Sequence, residues 1–179
     1  RRAELVTKVI GTGGESRVYF FSLLERLGFV TGKWTARAWQ FINSVQGWTV
    51  SNASLVAGST FVTLTATAAD PQLRRTIPAA PGSQYRYVVA RFRQVDAGVR
   101  PGGWQGSVFY TTPGHGEGGS NYKDVAIPDG LRAGAWITVV WDMHALTAGG
   151  TDWADSLITG LRFDLSDVNG SAFEIDWIA

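Results

Sequence analysis

Cysteine is absent from the chain. That excludes disulfide staples, thiolate metal sites and a cysteine nucleophile, and it sets the chain apart from small secreted lectins, which are commonly stapled. Charge is scarce as well. Asp, Glu, Lys and Arg make up 17% of the residues, and sixteen basic side chains nearly balance fifteen acidic ones. A chain so close to neutral has no global field to hold nucleic acid or a membrane surface. No apolar run approaches the roughly 20 residues of a membrane span, so no membrane insertion is expected of this segment. Only two histidines are present. Both lie in turn-rich stretches, and no Gly-x-Ser-x-Gly elbow or phosphate-binding lysine motif exists. Asp152 and Asp155 are close in sequence, but a glycosidase needs its carboxylates opposed across a sugar. The expectation is a protein without catalytic activity. It begins Arg1-Arg2, without a methionine or a signal peptide, and so reads as a fragment of a longer polypeptide.

What is abundant points one way. Hydrophobic residues reach 45%, with 22 glycines and eight tryptophans. A sizeable core can be buried, many turns are provided for, and few charged helix faces are available. After Trp39 the pattern is regular. Strands are predicted at 48–51, 61–66, 85–93, 106–111, 122–127, 136–141, 161–165 and 173–178. Val62, Leu64 and Ala66 alternate onto one face, as do Leu161, Phe163 and Leu165, and Phe173, Ile175 and Trp177. Pro81-Gly82, Pro101-Gly102-Gly103 and Gly149-Gly150 separate them. Short strands with turns between them predict a sandwich rather than a βαβ fold. The last two strands, joined through Ser166 to Gly170, read as a hairpin that would set Arg162 and Asp164 against Glu174 and Asp176. Trp39, Trp48, Trp136 and Trp177 read as core.

The first segment differs. Residues 1–40 carry seven Arg/Lys against three Glu, and the rest carries nine against twelve. Apolar runs at 5–10 and 16–21 flank Gly11-Thr12-Gly13-Gly14 and predict a hairpin, although a short helix at 23–27 also fits. Phe20-Phe21-Ser22-Leu23-Leu24 is too apolar to stay exposed on a monomer, so it packs on the sandwich, on upstream chain or on copies of itself.

Phe41-Ile42-Asn43-Ser44-Val45-Gln46-Gly47-Trp48 resembles the opening of galactose-binding-like modules, and Phe173-Glu174-Ile175-Asp176-Trp177-Ile178 resembles their closing strand. With Trp104 to Thr112, Gly114-His115-Gly116, Trp141 to Leu146 and Gly149 to Trp153, residues 34–179 resemble the C-terminal module of phage host-specificity proteins, the central tail-tip fibres. The resemblance implies an all-β protein: a galactose-binding-like jelly-roll β-sandwich at 34–179, preceded by a short β-rich trunk segment at 1–33. It also implies a homotrimer formed through residues 1–33 and upstream chain, a place in the virion at the phage tail tip, and other tail proteins as partners. Its ligand would be a host cell-surface glycan or other envelope receptor. The alternatives are a carbohydrate-binding module of a glycoside hydrolase and a purely structural tip domain.

Within this frame Trp104, Gln105, Tyr110, His115 and Tyr122 are candidate ligand contacts. Sugars present C–H faces that stack on aromatic rings and hydroxyls that need fixed polar partners. Trp104 and Tyr110 could equally fill the sandwich. Asp142, His144 and Trp153, with Asp152, form a second cluster that reads as a sugar site or as a hydrogen-bonded corner folding a long loop. No cofactor is expected. A structural calcium stays open through the resemblance, because Asp176 matches a closing ligand position while Phe41-Ile42-Asn43 lacks the carboxylate often found in the opening strand.

Overall fold

The computed structural model describes residues 38–95, 103–131 and 134–179. The proposed trunk, its hairpin and apolar run, and the boundary at 33/34 lie outside the described residues. The strands are β1 (Trp39–Gln40), β2 (Thr49–Ser51), β3 (Ala53–Ala57), β4 (Val62–Ala66), β5 (Gln72–Pro81) and β6 (Tyr87–Gln94). They continue with β7 (Trp104–Thr111), β8 (Tyr122–Asp124), β9 (Ile137–Asp142), β10 (Leu157–Ser166) and β11 (Ala172–Ile178). One helical turn, α1 (Asp152–Asp155), precedes β10, and a 3-10 turn at Gly82–Gln84 precedes β6.

All strand pairings are antiparallel. One sheet runs β3-β4-β11-β6-β9, with β1 added on β11, and the other runs β2-β5-β10-β7-β8. The architecture is an all-β jelly-roll sandwich. Alternation builds the core from both sheets. Val62 and Leu64 of β4, Phe92 of β6 and Phe173 and Ile175 of β11 face Leu73, Val108, Tyr110, Leu161 and Phe163, all of them buried. Trp141 on β9 is fully buried, meets Phe163 edge to face at 5.5 Å, and donates its Nε1–H to the Gly106 carbonyl of β7 at 2.7 Å. That bond ties one sheet to the other and satisfies a group that would otherwise be buried unpaired.

The final pair is not a hairpin. β10 pairs with β5 and β7, whereas β11 pairs with β4 and β6 in the opposite sheet. Both strands bury one strongly apolar face, and opposing sheets let those faces meet across the core, which side-by-side pairing cannot do. The connecting residues cross between the layers, with Asp167 N–H bonded to the Gly103 carbonyl and Gly170 N–H to that of Ala66. The expected charge pairs therefore change partner. Arg162 binds Asp164 and Asp70, Asp176 pairs with Arg91, and Glu174 accepts from Arg93 at 2.5 Å. Trp136 is not core either: half-buried, it lies over the Arg91 and Arg93 guanidinia at 5.0 and 4.9 Å on the outer face of that sheet.

Candidate functional site

The register of the five-stranded sheet sets one row of side chains across its outer face. Thr49 stands opposite Arg74, Arg74 opposite Arg162, Arg162 opposite Phe109 and Phe109 opposite Tyr122. In an antiparallel sheet such directly opposed residues share a face and lie within contact distance. The next row holds Asp164, Ser107 and Asp124. Inward-pointing neighbours on the same strands, Leu73, Phe163, Val108 and Tyr110, fill the core.

The row is a platform of rings and hydrogen-bonding groups. The Phe109 and Tyr122 rings lie 5.2 Å apart, tilted by 31°, and the Arg162 guanidinium stands 4.6 Å from the Phe109 ring centre. Both rings are half-buried, so they stand on the surface with their flanks packed. Arg162 grips Asp164 through two hydrogen bonds and reaches Asp70 at 3.1 Å. Burial raises the Asp164 carboxyl to about 6; Arg162 opposes this and the charges of Asp70 and Asp167 add to it. Ser107 donates to Asp124 at 2.6 Å. Two arginines directly opposite each other would repel, and the surrounding carboxylates remove that conflict.

The side chains singled out in the sequence are not gathered in one place. Tyr122 is part of the row. Gln105 is exposed and donates to Asp167. Trp104 faces inward: its ring stacks on Phe92 at 5.9 Å, touches Phe173, and its Nε1–H bonds the Val125 carbonyl. Tyr110 is 0% and Trp153 3% exposed, and they pack edge to face at 5.0 Å, so neither can be a stacking platform. Asp142 is held by two hydrogen bonds from Arg86 and accepts from the His144 amide; its carboxyl is lowered chiefly by Arg86. His144 Nε2 bonds the Gly82 carbonyl at 3.0 Å, and Trp153 donates to Tyr85. This cluster is the hydrogen-bonded corner. Gly82 is needed there, because a Cβ would stand 1.7 Å from the Trp153 carbonyl oxygen.

His115 has a different task. It sits on the β7–β8 loop with Nδ1 2.8 Å from the Gly116 carbonyl and Nε2 2.9 Å from Asp152 Oδ2. Both ring nitrogens face acceptors, the pattern of an imidazolium. Burial works against that charge, but the Gly116 and Asp152 bonds outweigh it and raise the pKa. Burial likewise opposes ionisation of Asp152, yet His115 and Tyr110 hold its carboxyl below the usual range. Tyr110 donates to the same oxygen at 2.8 Å. The result is a latch between the loop and α1.

Asp176, where the resemblance would place a calcium ligand, has its carboxylate engaged by Arg91. Among the described residues no cluster of three His, Cys, Asp or Glu side chains is arranged to hold a metal.

Phe109, Arg74, Arg162 and Glu117 were missed in the sequence. The signal was in β7: Ser107 and Thr111 are polar, and strict alternation places Phe109 with them and Tyr110 with Val108.

No protein-family model matches the chain, and no curated protein sequence does. Among solved structures, the family 11 carbohydrate-binding module from Clostridium thermocellum in complex with a β-1,3-1,4-mixed-linked tetrasaccharide shares 15% identity. The match has a TM-score of 0.51 and covers 79% of this chain and 92% of that one. The family 11 module of a cellulosomal cellulase from the same organism matches equally well at 14% identity, again with a TM-score of 0.51 and the same coverage. A xylan-binding domain from Paenibacillus barcinonensis shares 17% identity over 79% of this chain and 89% of that one, with a TM-score of 0.48. At these identities the likeness is one of fold.

Proposed function

We propose that the chain is a non-catalytic carbohydrate-binding module whose ligand lies across the outer face of the five-stranded sheet. The observation that carries this is the row from Arg74 through Arg162 and Phe109 to Tyr122, a strip of rings and hydrogen-bonding groups on the outer face of the sheet. Sugar C–H faces would stack on Phe109 and Tyr122, and hydroxyls would bond to groups such as Asp124 and Gln105. Nothing in such a site breaks bonds. Recognition of this type is shallow, so affinity per site is low and gains from several copies or from tethering.

The carrier is a polysaccharide-degrading enzyme in the reading the fold comparison supports better, since one module of similar fold is that of a cellulosomal cellulase. A phage tail tip, with a host-surface glycan as receptor, is the second reading and rests on the resemblance of Trp104 to Gly116 and Trp141 to Trp153. Those segments are largely framework, namely β7, the corner and the latch.

Affinity electrophoresis tests the platform. The chain should be retarded in gels containing mixed-linked β-glucan or xylan. Phe109→Ala and Tyr122→Ala should each weaken retardation about tenfold, or ~1.4 kcal/mol, with an unchanged melting temperature. Retardation by no neutral glycan, or full binding by both variants, would remove the proposal.

A further inference from the structure

The β7–β8 loop leaves the sheet at Thr111 and returns on the adjacent strand at Tyr122, and between them it does something its length does not require. Glu117 pairs with Arg74, which lies on β5, with β10 standing between β5 and β7. The loop therefore crosses the outer face of β10 and lowers a carboxylate onto the basic end of the platform row. Its glycines add no packing to hold it there. A Cβ added at Gly116, Gly118 or Gly119 would meet nothing within 4 Å. The His115–Asp152 latch and the Glu117–Arg74 pair fasten the crossing.

The two guanidinia of the row differ. Arg162 is saturated by Asp164 and Asp70. Arg74 Nε is 3.0 Å from Glu117 Oε2 but buried and off the line of a hydrogen bond, so its partner neutralises it without satisfying its donor. The Arg74 side chain is nevertheless 37% exposed against 14% for Arg162, so Arg74 is the cation of the platform whose outer nitrogens can reach an incoming carboxylate.

We propose that Glu117 is a specificity-determining residue that occupies Arg74 and thereby excludes glycans bearing carboxylates in favour of neutral ones. The inference rests on the platform being the glycan site. A uronic acid reaching Arg74 meets Glu117 already there, with Asp70 and Asp164 held on the neighbouring Arg162. A partly exposed ion pair is weak in itself, so the exclusion comes from the like charge left beside the incoming carboxylate. Removing that charge while keeping the side chain's shape leaves Arg74 open to bidentate capture.

The test compares the full chain with Glu117→Gln and with the double variant Glu117→Gln/Arg74→Ala, by affinity electrophoresis in polygalacturonate and in mixed-linked β-glucan or xylan. The original chain should be retarded by a neutral glycan and not by polygalacturonate. Glu117→Gln should raise the ratio of acidic to neutral affinity by about tenfold or more, in a manner suppressed by salt, and Arg74→Ala should abolish the gain. An unchanged ratio, or a gain that survives Arg74→Ala, overturns the role of Glu117 while leaving the glycan platform standing. If the original chain is retarded by neither kind of glycan, the platform reading fails and the specificity role falls with it.

Discussion

Tyr122 and Trp104 are both aromatic, both half-buried and both on the five-stranded sheet, yet they end on opposite sides of it. Tyr122 is paired with outward-facing Phe109, whereas Trp104 lies against Phe92 and Phe173 of the other sheet. The turn at Gly106, with φ +61°, accounts for the inward tuck: the Trp104 ring passes where a Cβ would be, 2.4 Å away. Trp104→Ala should therefore act on stability. Loss of the ring from between two phenylalanines is expected to cost ~3–5 kcal/mol, read from urea unfolding, whereas Tyr122→Ala should leave the unfolding midpoint nearly in place. Glycan affinity lost on Trp104→Ala at full stability would show that the ring is a ligand contact.

The β7–β8 loop is fastened by a pair of titratable groups, His115 and Asp152. His115, with its pKa raised from the ordinary 6.5, lends stability that is complete below that value and is lost as pH rises through the higher folded value. Asp152, with its pKa lowered from 3.8, lends stability present above that value and lost as pH falls through the lower folded one. The latch is therefore tightest between the two, in mildly acidic solution, and slackens as His115 deprotonates. Hydrogen-exchange protection of the loop amides, corrected for intrinsic rates, should drop between mildly acidic and mildly alkaline pH. His115→Gln, which cannot carry the charge, should flatten that change. A loop equally protected across the range would mean that the imidazolium contributes nothing.

At the scale of the molecule, the described sandwich is closed on itself. The Trp141 bond to Gly106 joins the sheets, and the large exposed apolar residues, Ile42, Val56, Tyr87, Val95 and Leu157, are spread over different elements. Dispersed single residues do not make an association surface. An enzyme-borne module is expected to be monomeric, and light scattering of the full chain should return about one chain mass of 19.4 kDa. A trimer mass would instead favour the tail-tip carrier and direct attention to residues 1–33.

The eight strands anticipated after Trp39 were legible because Val62-Thr63-Leu64-Thr65-Ala66 and its counterparts alternate, and alternation is a local property of a half-buried strand. Three strands were not legible for equally local reasons, and β1, two residues long, is too short to show a period. β5 carries Arg74-Arg75 and two prolines, and β3 is built of small and exposed residues, so neither displays an apolar period. The sequence by itself determined the fold class and much of what is buried, since both follow from period and composition. Tertiary structure decided which sheet each strand joins, and with it the site. Only the separation of β10 from β11 places Arg162 between Arg74 and Phe109, and only the bend at Gly106 turns Trp104 inward. Such cross-strand neighbours are set by register between residues far apart in the chain, which no local pattern encodes.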